Sequence, residues 1–113
     1  MLDHEKLDVY RCSLNLLRIA TALLRKLPSG QSHLADQLHR AATSVPLAIA
    51  QGVGKNSPAD KRRFFAIARG STMECAAIVD VLNVIVTVDE AHLREAKSLA
   101  ERCTAMLSKL MRR

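Results

Sequence analysis

Between residues 7 and 27, Leu7, Tyr10, Leu14, Leu17, Thr21 and Leu24 recur at alternating steps of three and four. That is the period of one stripe along an α-helix. Val9, Leu16, Ile19, Leu23 and Leu27 add a second set that widens the apolar face beyond a simple amphipathic stripe, and Pro28 and Gly30 end the segment. A second stripe runs through Leu34, Leu38, Ala41, Val45 and Ile49. Pro46 interrupts it. An interior proline removes a backbone donor and collides with the carbonyl four residues back, at about 3 kcal/mol. Because the apolar period continues on both sides, the pattern predicts a helix kinked at Pro46, with two shorter helices as the alternative.

A third helix is announced by Ser57 as N-cap, Pro58 at the first helical position and Asp60 in the first turn. Phe64, Ala68, Ser71, Cys75, Ile78, Leu82 and Ile85 then follow in four-three alternation, the spacing of a bundle seam. Thr87 and Glu90 have the spacing of a capping box opening a fourth helix, whose seam is Leu93, Ala96, Ala100, Cys103, Leu107 and Leu110. The helices are expected at about 4–27, 32–53, 58–86 and 88–112. Short connections make neighbours antiparallel. The pattern therefore predicts an all-α fold: one up-down-up-down four-helix bundle spanning residues 1–113.

Composition agrees with this reading. The chain is 49% hydrophobic but only 3% aromatic, so the core must be Leu, Ile, Val, Ala and Met, which pack well between helices. The 17 Lys and Arg against 11 Asp and Glu leave a net charge of +6, a balance that suits an acidic partner such as RNA, DNA or an acidic protein surface. Cys12, Cys75 and Cys103 lie far apart in sequence without a CxxC, and each sits at helical spacing from apolar neighbours. They read as small buried hydrophobes in a reducing compartment. The opening MLDHEKLD has no apolar signal region, and CAAIVDVLNVIVTV is too short and too polar to span a bilayer. The expected location is cytoplasmic, with no membrane partner.

The stretch QGVGKNSP, residues 51–58, poses the one catalytic question. Gly54-Lys55 matches the end of a phosphate-binding loop, but Ile49 stands where its first glycine belongs and Asn56 where the hydroxyl should hold magnesium. The dinucleotide fingerprint fails as well: Gly52 and Gly54 fit, Ser57 occupies the third position, and no strand precedes the loop. Gly52 and Gly54 are better read as a helix C-cap and a turn into Ser57-Pro58. His4, His33, His39 and His92 are scattered, and no nucleophile, base and orienting group can be assembled. Neither enzyme activity, a cofactor nor a metal site is expected.

Residues 40–74, RAATSVPLAIAQGVGKNSPADKRRFFAIARGSTME, carry a longer message. The run Arg40-Ala41-Ala42, Ser44-Val45-Pro46, Ile49-Ala50, Gly52, Gly54, Ser57, Phe64, Ala68-Arg69-Gly70-Ser71 and Glu74 resembles the 23S rRNA intervening-sequence family, as do Leu7–Tyr10 and the closing MLSKLMRR. The resemblance implies a four-helix bundle and a homo-oligomer, a ring-like pentamer in some members. It also extends to accessory variability proteins of diversity-generating retroelements, which bind nucleic acid and a reverse transcriptase through a basic surface. The chain departs from the family pattern at Ala48, where asparagine is expected, at Gln51, where glutamate is expected, and at Ile85-Val86, which replaces a Gly-Tyr turn. On packing grounds Gly70 and the alanines at 41, 42, 66 and 68 let helices approach closely. Arg40 and Arg69 either pair with Glu74 inside the bundle or line a surface for an acidic ligand; the internal pair is favoured.

Lys55, Lys61, Arg62 and Arg63 put four cations against Asp60 at the turn and the first turns of the third helix. Cations there oppose the helix dipole, and an anionic partner relieves that repulsion. No aromatic interleaves with them, so contact with RNA or DNA is expected at phosphates, with little sequence preference. The alternative is a structural or protein-interaction module whose partner is itself or another protein.

Overall fold

The computed structural model describes residues 2–113. The chain folds into four long helices: α1 (Asp8–Arg25), α2 (Ser32–Val53), α3 (Pro58–Val86) and α4 (Glu90–Met111), with a 3-10 turn at Asp3–Lys6 ahead of α1. Each helix packs on its two neighbours, and α1 closes the ring against α4. The four-helix bundle expected from the hydrophobic period is what forms. No helix of the described residues is long and apolar enough to cross a membrane.

The core is aliphatic, as the shortage of aromatics demands. Leu16, Leu38, Val45, Ile49, Val79, Leu82 and Leu107 are its largest fully buried side chains. On α1 the second apolar set holds the centre: Val9, Leu16, Ile19 and Leu23 are buried, while Tyr10, Leu14, Leu17, Thr21 and Leu24, with Leu7 just ahead of the helix, are half-buried flanks. On α3 the centre is shifted by one residue in two places. Phe65 and Thr72 are buried where Phe64 and Ser71 were expected, and Ile85 is exposed. Thr72 tolerates full burial because its hydroxyl donates to the Ala68 carbonyl at 2.8 Å, leaving no unpaired polar atom. Val79 takes a core position alongside Ile78.

Helix α2 runs through Pro46 as one element, which rules out two separate helices. Val45, Ala48 and Ile49 are buried on either side of the proline. Their packing outweighs the lost backbone bond. The helix ends need two corrections. The first helix starts at Asp8 and stops at Arg25, later and earlier than expected, because Leu7 adopts an extended conformation and Lys26 forms the C-cap. The fourth is capped by Asp89, whose side chain accepts from the His92 N–H at 3.1 Å. That bond holds the Asp89 carboxyl below its ordinary range. No Thr87–Glu90 capping box forms. Thr87 is instead the C-cap of α3 with φ of 54°, and the Asn83 side chain accepts from the Val88 N–H at 2.9 Å to carry the chain round the corner.

Candidate nucleic-acid interface

Antiparallel alternation gathers the start of α1, the end of α2, the start of α3 and the end of α4 at one end of the bundle. There Leu7, Val53, Pro58, Phe65 and Leu110 line an apolar groove of about 350 Å³, rimmed by Lys61, Arg62 and Arg113. A second hollow shares Leu7, Leu110 and Arg113 and adds Lys109. Arg113 thus stands beside Lys61 and Arg62 at the start of α3, with Lys109 in the adjoining hollow. In the sequence Lys109, Arg112 and Arg113 lie far from Lys61 and Arg62, and only the bundle's topology joins the two clusters.

The four cations expected at the turn have different jobs. Ser57 caps α3 by accepting from the Asp60 N–H at 3.1 Å, with Pro58 at the first helical position. Lys61 is half-buried and donates from Nζ to the Val53 carbonyl at 2.9 Å. It places its ammonium on the carbonyl end of α2, where a helix attracts positive charge. Arg62 is exposed, with no ion pair among the described residues. Lys55 and Arg63 sit over the Phe64 ring at 4.9 and 4.6 Å from its centroid. An aromatic therefore does accompany the basic residues, engaged in cation–π contacts. Arg63 also lies 4.0 Å from the Asp60 carboxylate, an exposed pair of small energetic weight.

The glycines around this turn work differently from expectation. Gly54 caps α2 with φ of −77°, so no left-handed turn is needed there. Gly52 lies within the helix, and a Cβ built on it would meet Phe65 Cε1 at 2.8 Å. It is a close-approach position between α2 and α3. Gly70 is the reverse: it is exposed, and a Cβ there meets nothing within 4 Å, so it provides no close packing within the chain.

The polar motif residues divide similarly. Ser71 donates to Ser44 at 2.9 Å across the α2–α3 seam, and Arg69 Nη1 donates to Ser108 Oγ at 3.1 Å across α3–α4. Arg40 and Glu74 are both exposed, and neither arginine pairs with Glu74. The internal ion pair is not formed; an exposed carboxylate keeps its hydration, which burial would have removed. Ala48, at the position expected to be asparagine, is buried and apolar, whereas Gln51 faces solvent. Among the described residues no group of three or more His, Cys, Asp or Glu is placed to hold a metal ion.

The sequence description of the 23S rRNA-intervening sequence proteins matches residues 5–109, almost the whole bundle. The chain belongs to that family. No curated protein matches its sequence. Among solved structures, it is similar to a protein of unknown function from the S23 ribosomal protein family of Bacteroides thetaiotaomicron VPI-5482. The TM-score is 0.83 over 93% of this chain and 99% of that one, at 18% identity. At that identity the likeness is one of fold. The part matched to the 23S rRNA-intervening sequence family contains the α2–α3 turn and Lys109, whereas Arg112 and Arg113 lie beyond it.

Proposed function

We propose that this protein is a non-enzymatic accessory factor that binds the phosphate backbone of RNA or DNA through the basic end of its bundle, and does so as a homo-oligomer. The observation that carries the reading is the convergence of Arg62 with Arg113 and Lys109 around one end, next to Lys55 and Arg63 on Phe64. Cations brought together from three chain segments, at a helix start that repels them, create a field that anions neutralise. With Phe64 already engaged by two cations, base stacking is not the main source of affinity. Contacts to phosphates give a salt-sensitive, weakly sequence-selective complex.

Self-association is supported by the outer face of α3. Ile67, Met73, Val81, Val84 and Ile85 are exposed there, Val84 to 86%. With Gly70 and Ala77 between them, and Glu74 an exposed charge among them, they form a largely apolar face of a kind a soluble monomer seldom leaves open. Several copies would repeat the basic end and add avidity. The same face supports a second reading, in which the bundle is a protein-interaction module without a nucleic-acid ligand.

Fluorescence anisotropy against duplex DNA and structured RNA across a salt series separates the two. The wild type is expected to bind both, weakening steeply as salt rises. Arg62→Glu, Arg63→Glu and Arg113→Glu together are expected to reduce affinity about 100-fold at low salt without lowering the melting temperature. Lys61 is left in place because it caps α2. Absence of binding at low salt, or an unchanged affinity in the variant, sinks the nucleic-acid reading. Concentration-dependent association by light scattering would then support the interaction module.

A further inference from the structure

The sequence treats its three cysteines as equivalent, but the fold does not. Cys12 of α1 and Cys103 of α4, far apart in the chain, face each other with their sulfurs 3.0 Å apart. Both are free thiols. The Cys103 thiol donates to the Cys12 sulfur, and the Cys12 thiol in turn reaches the Leu99 carbonyl at 3.6 Å. Cys103 is fully enclosed. Cys12 lies at the floor of a surface cleft of about 450 Å³ whose walls include Arg11, Asn15 and Arg102. Cys75 is buried elsewhere on α3, where burial and the neighbouring Glu74 push its thiol up to about 12.

We propose that Cys12 and Cys103 form a peroxide-reactive dithiol site, with Cys12 the attacking thiol and Cys103 the resolving one. The cleft admits a small oxidant to one sulfur only, and the second sulfur is already in place behind it. Arg102 supplies the cationic surroundings that favour a thiolate, while the charge of Arg11 is taken up by Asp8, which lines the same cleft, at 2.8 Å. The hydrogen bond from Cys103, and then the Arg102 charge, lower the Cys12 thiol against the opposing effect of burial. Donating that bond and being buried raise Cys103. In the first step the Cys12 thiolate attacks one peroxide oxygen. An S–O bond forms, the O–O bond breaks, and hydroxide leaves to be protonated to water. In the second step the Cys103 sulfur attacks Cys12. An S–S bond forms, the S–O bond breaks, and the departing hydroxide takes up the Cys103 proton as a second water. The dithiol gives up two electrons and two protons, and the peroxide is reduced. To reach disulfide length, about 2.05 Å, the sulfurs have to close by roughly 1 Å, within reach of side-chain adjustment on two packed helices.

The test uses the full chain, reduced and then treated with a stoichiometric amount of hydrogen peroxide. Thiol titration under denaturing conditions is expected to fall from three free thiols to one, and peptide mapping to show an intramolecular Cys12–Cys103 link. Cys75→Ala is expected to behave like wild type at the dithiol. Cys103→Ala is expected to trap a sulfenic acid on Cys12, detected with a 1,3-dione probe, while Cys12→Ala leaves Cys103 unreactive at the same dose. Three surviving thiols in the wild type, a link that involves Cys75, a link only between chains, or equal reactivity of Cys103 when Cys12 is absent would each overturn the proposal. The wild-type mapping stands even where a cysteine variant fails to fold.

Discussion

Replacing Gly52 by valine is expected to destabilise the bundle by about 3 kcal/mol, through overpacking at a contact that has no slack. Thermal unfolding would show it as a drop of roughly 12 °C or more in midpoint. A Cβ at this position meets Phe65 Cε1 at 2.8 Å and Cδ1 at 3.0 Å, with Phe64 Cβ at 3.2 Å behind them. Phe65 is itself buried, so its ring cannot swing into solvent without loss. Gly52 is the last residue but one of α2, so helix propensity says little about it; the three short contacts make its presence here a matter of space. The contrast is Gly70, where no neighbour lies within 4 Å. A double-mutant cycle with Phe65→Ala isolates the contact: the combined loss should fall short of the two single losses by more than about 1 kcal/mol. Simple additivity would show that the clash is not the cause.

The second large effect concerns the register of α3. Leu82→Ala is expected to cost about 3 kcal/mol in urea unfolding, because Leu82 is fully buried and the cavity it leaves cannot be refilled by rigid neighbours. Ile85→Ala, three residues on, is expected to cost less than about 0.5 kcal/mol, since Ile85 is 51% exposed. Similar losses at the two positions would mean that the seam continues through the last turn of α3, and that the face exposed here is covered.

These two residues also show how far the sequence could be read. The four-three period identified the helices and, on α3, the buried Ala68, Cys75, Ile78 and Leu82, because burial of a stripe is what imposes that period, but it ran one residue early at Phe65 and Thr72. It failed at Ile85 because an outward apolar residue carries the same letter as an inward one, and only the path of the neighbouring helices tells them apart. Ser57 and Pro58 were legible as a helix start, since capping is a local matter of one side chain and one backbone N–H. Thr87 was not: a capping-box spacing was present, but Asp89 provided the competing cap. At the candidate interface, charge near the α2–α3 turn was visible directly. That Lys61 serves Val53, and that Arg113 joins Arg62, depends on elements meeting in space. Cys12 and Cys103 were hidden for the same reason.

The tight α2–α3 turn also bears on the order of assembly. The broadest helix–helix interface in the bundle lies between α2 and α3, whose connection is the short segment from Gly54 to Ser57. Closing so small a loop costs little entropy, so this hairpin can form early. Helix α1 closes the ring against α4, and Cys12 meets Cys103 from 91 residues away. That seam has the costliest closure and the least local support, which makes α1 the last helix to dock and the first to come free. Amide exchange should accordingly be slowest along α2 and α3, and a bond between Cys12 and Cys103 would fasten the bundle where it opens most readily.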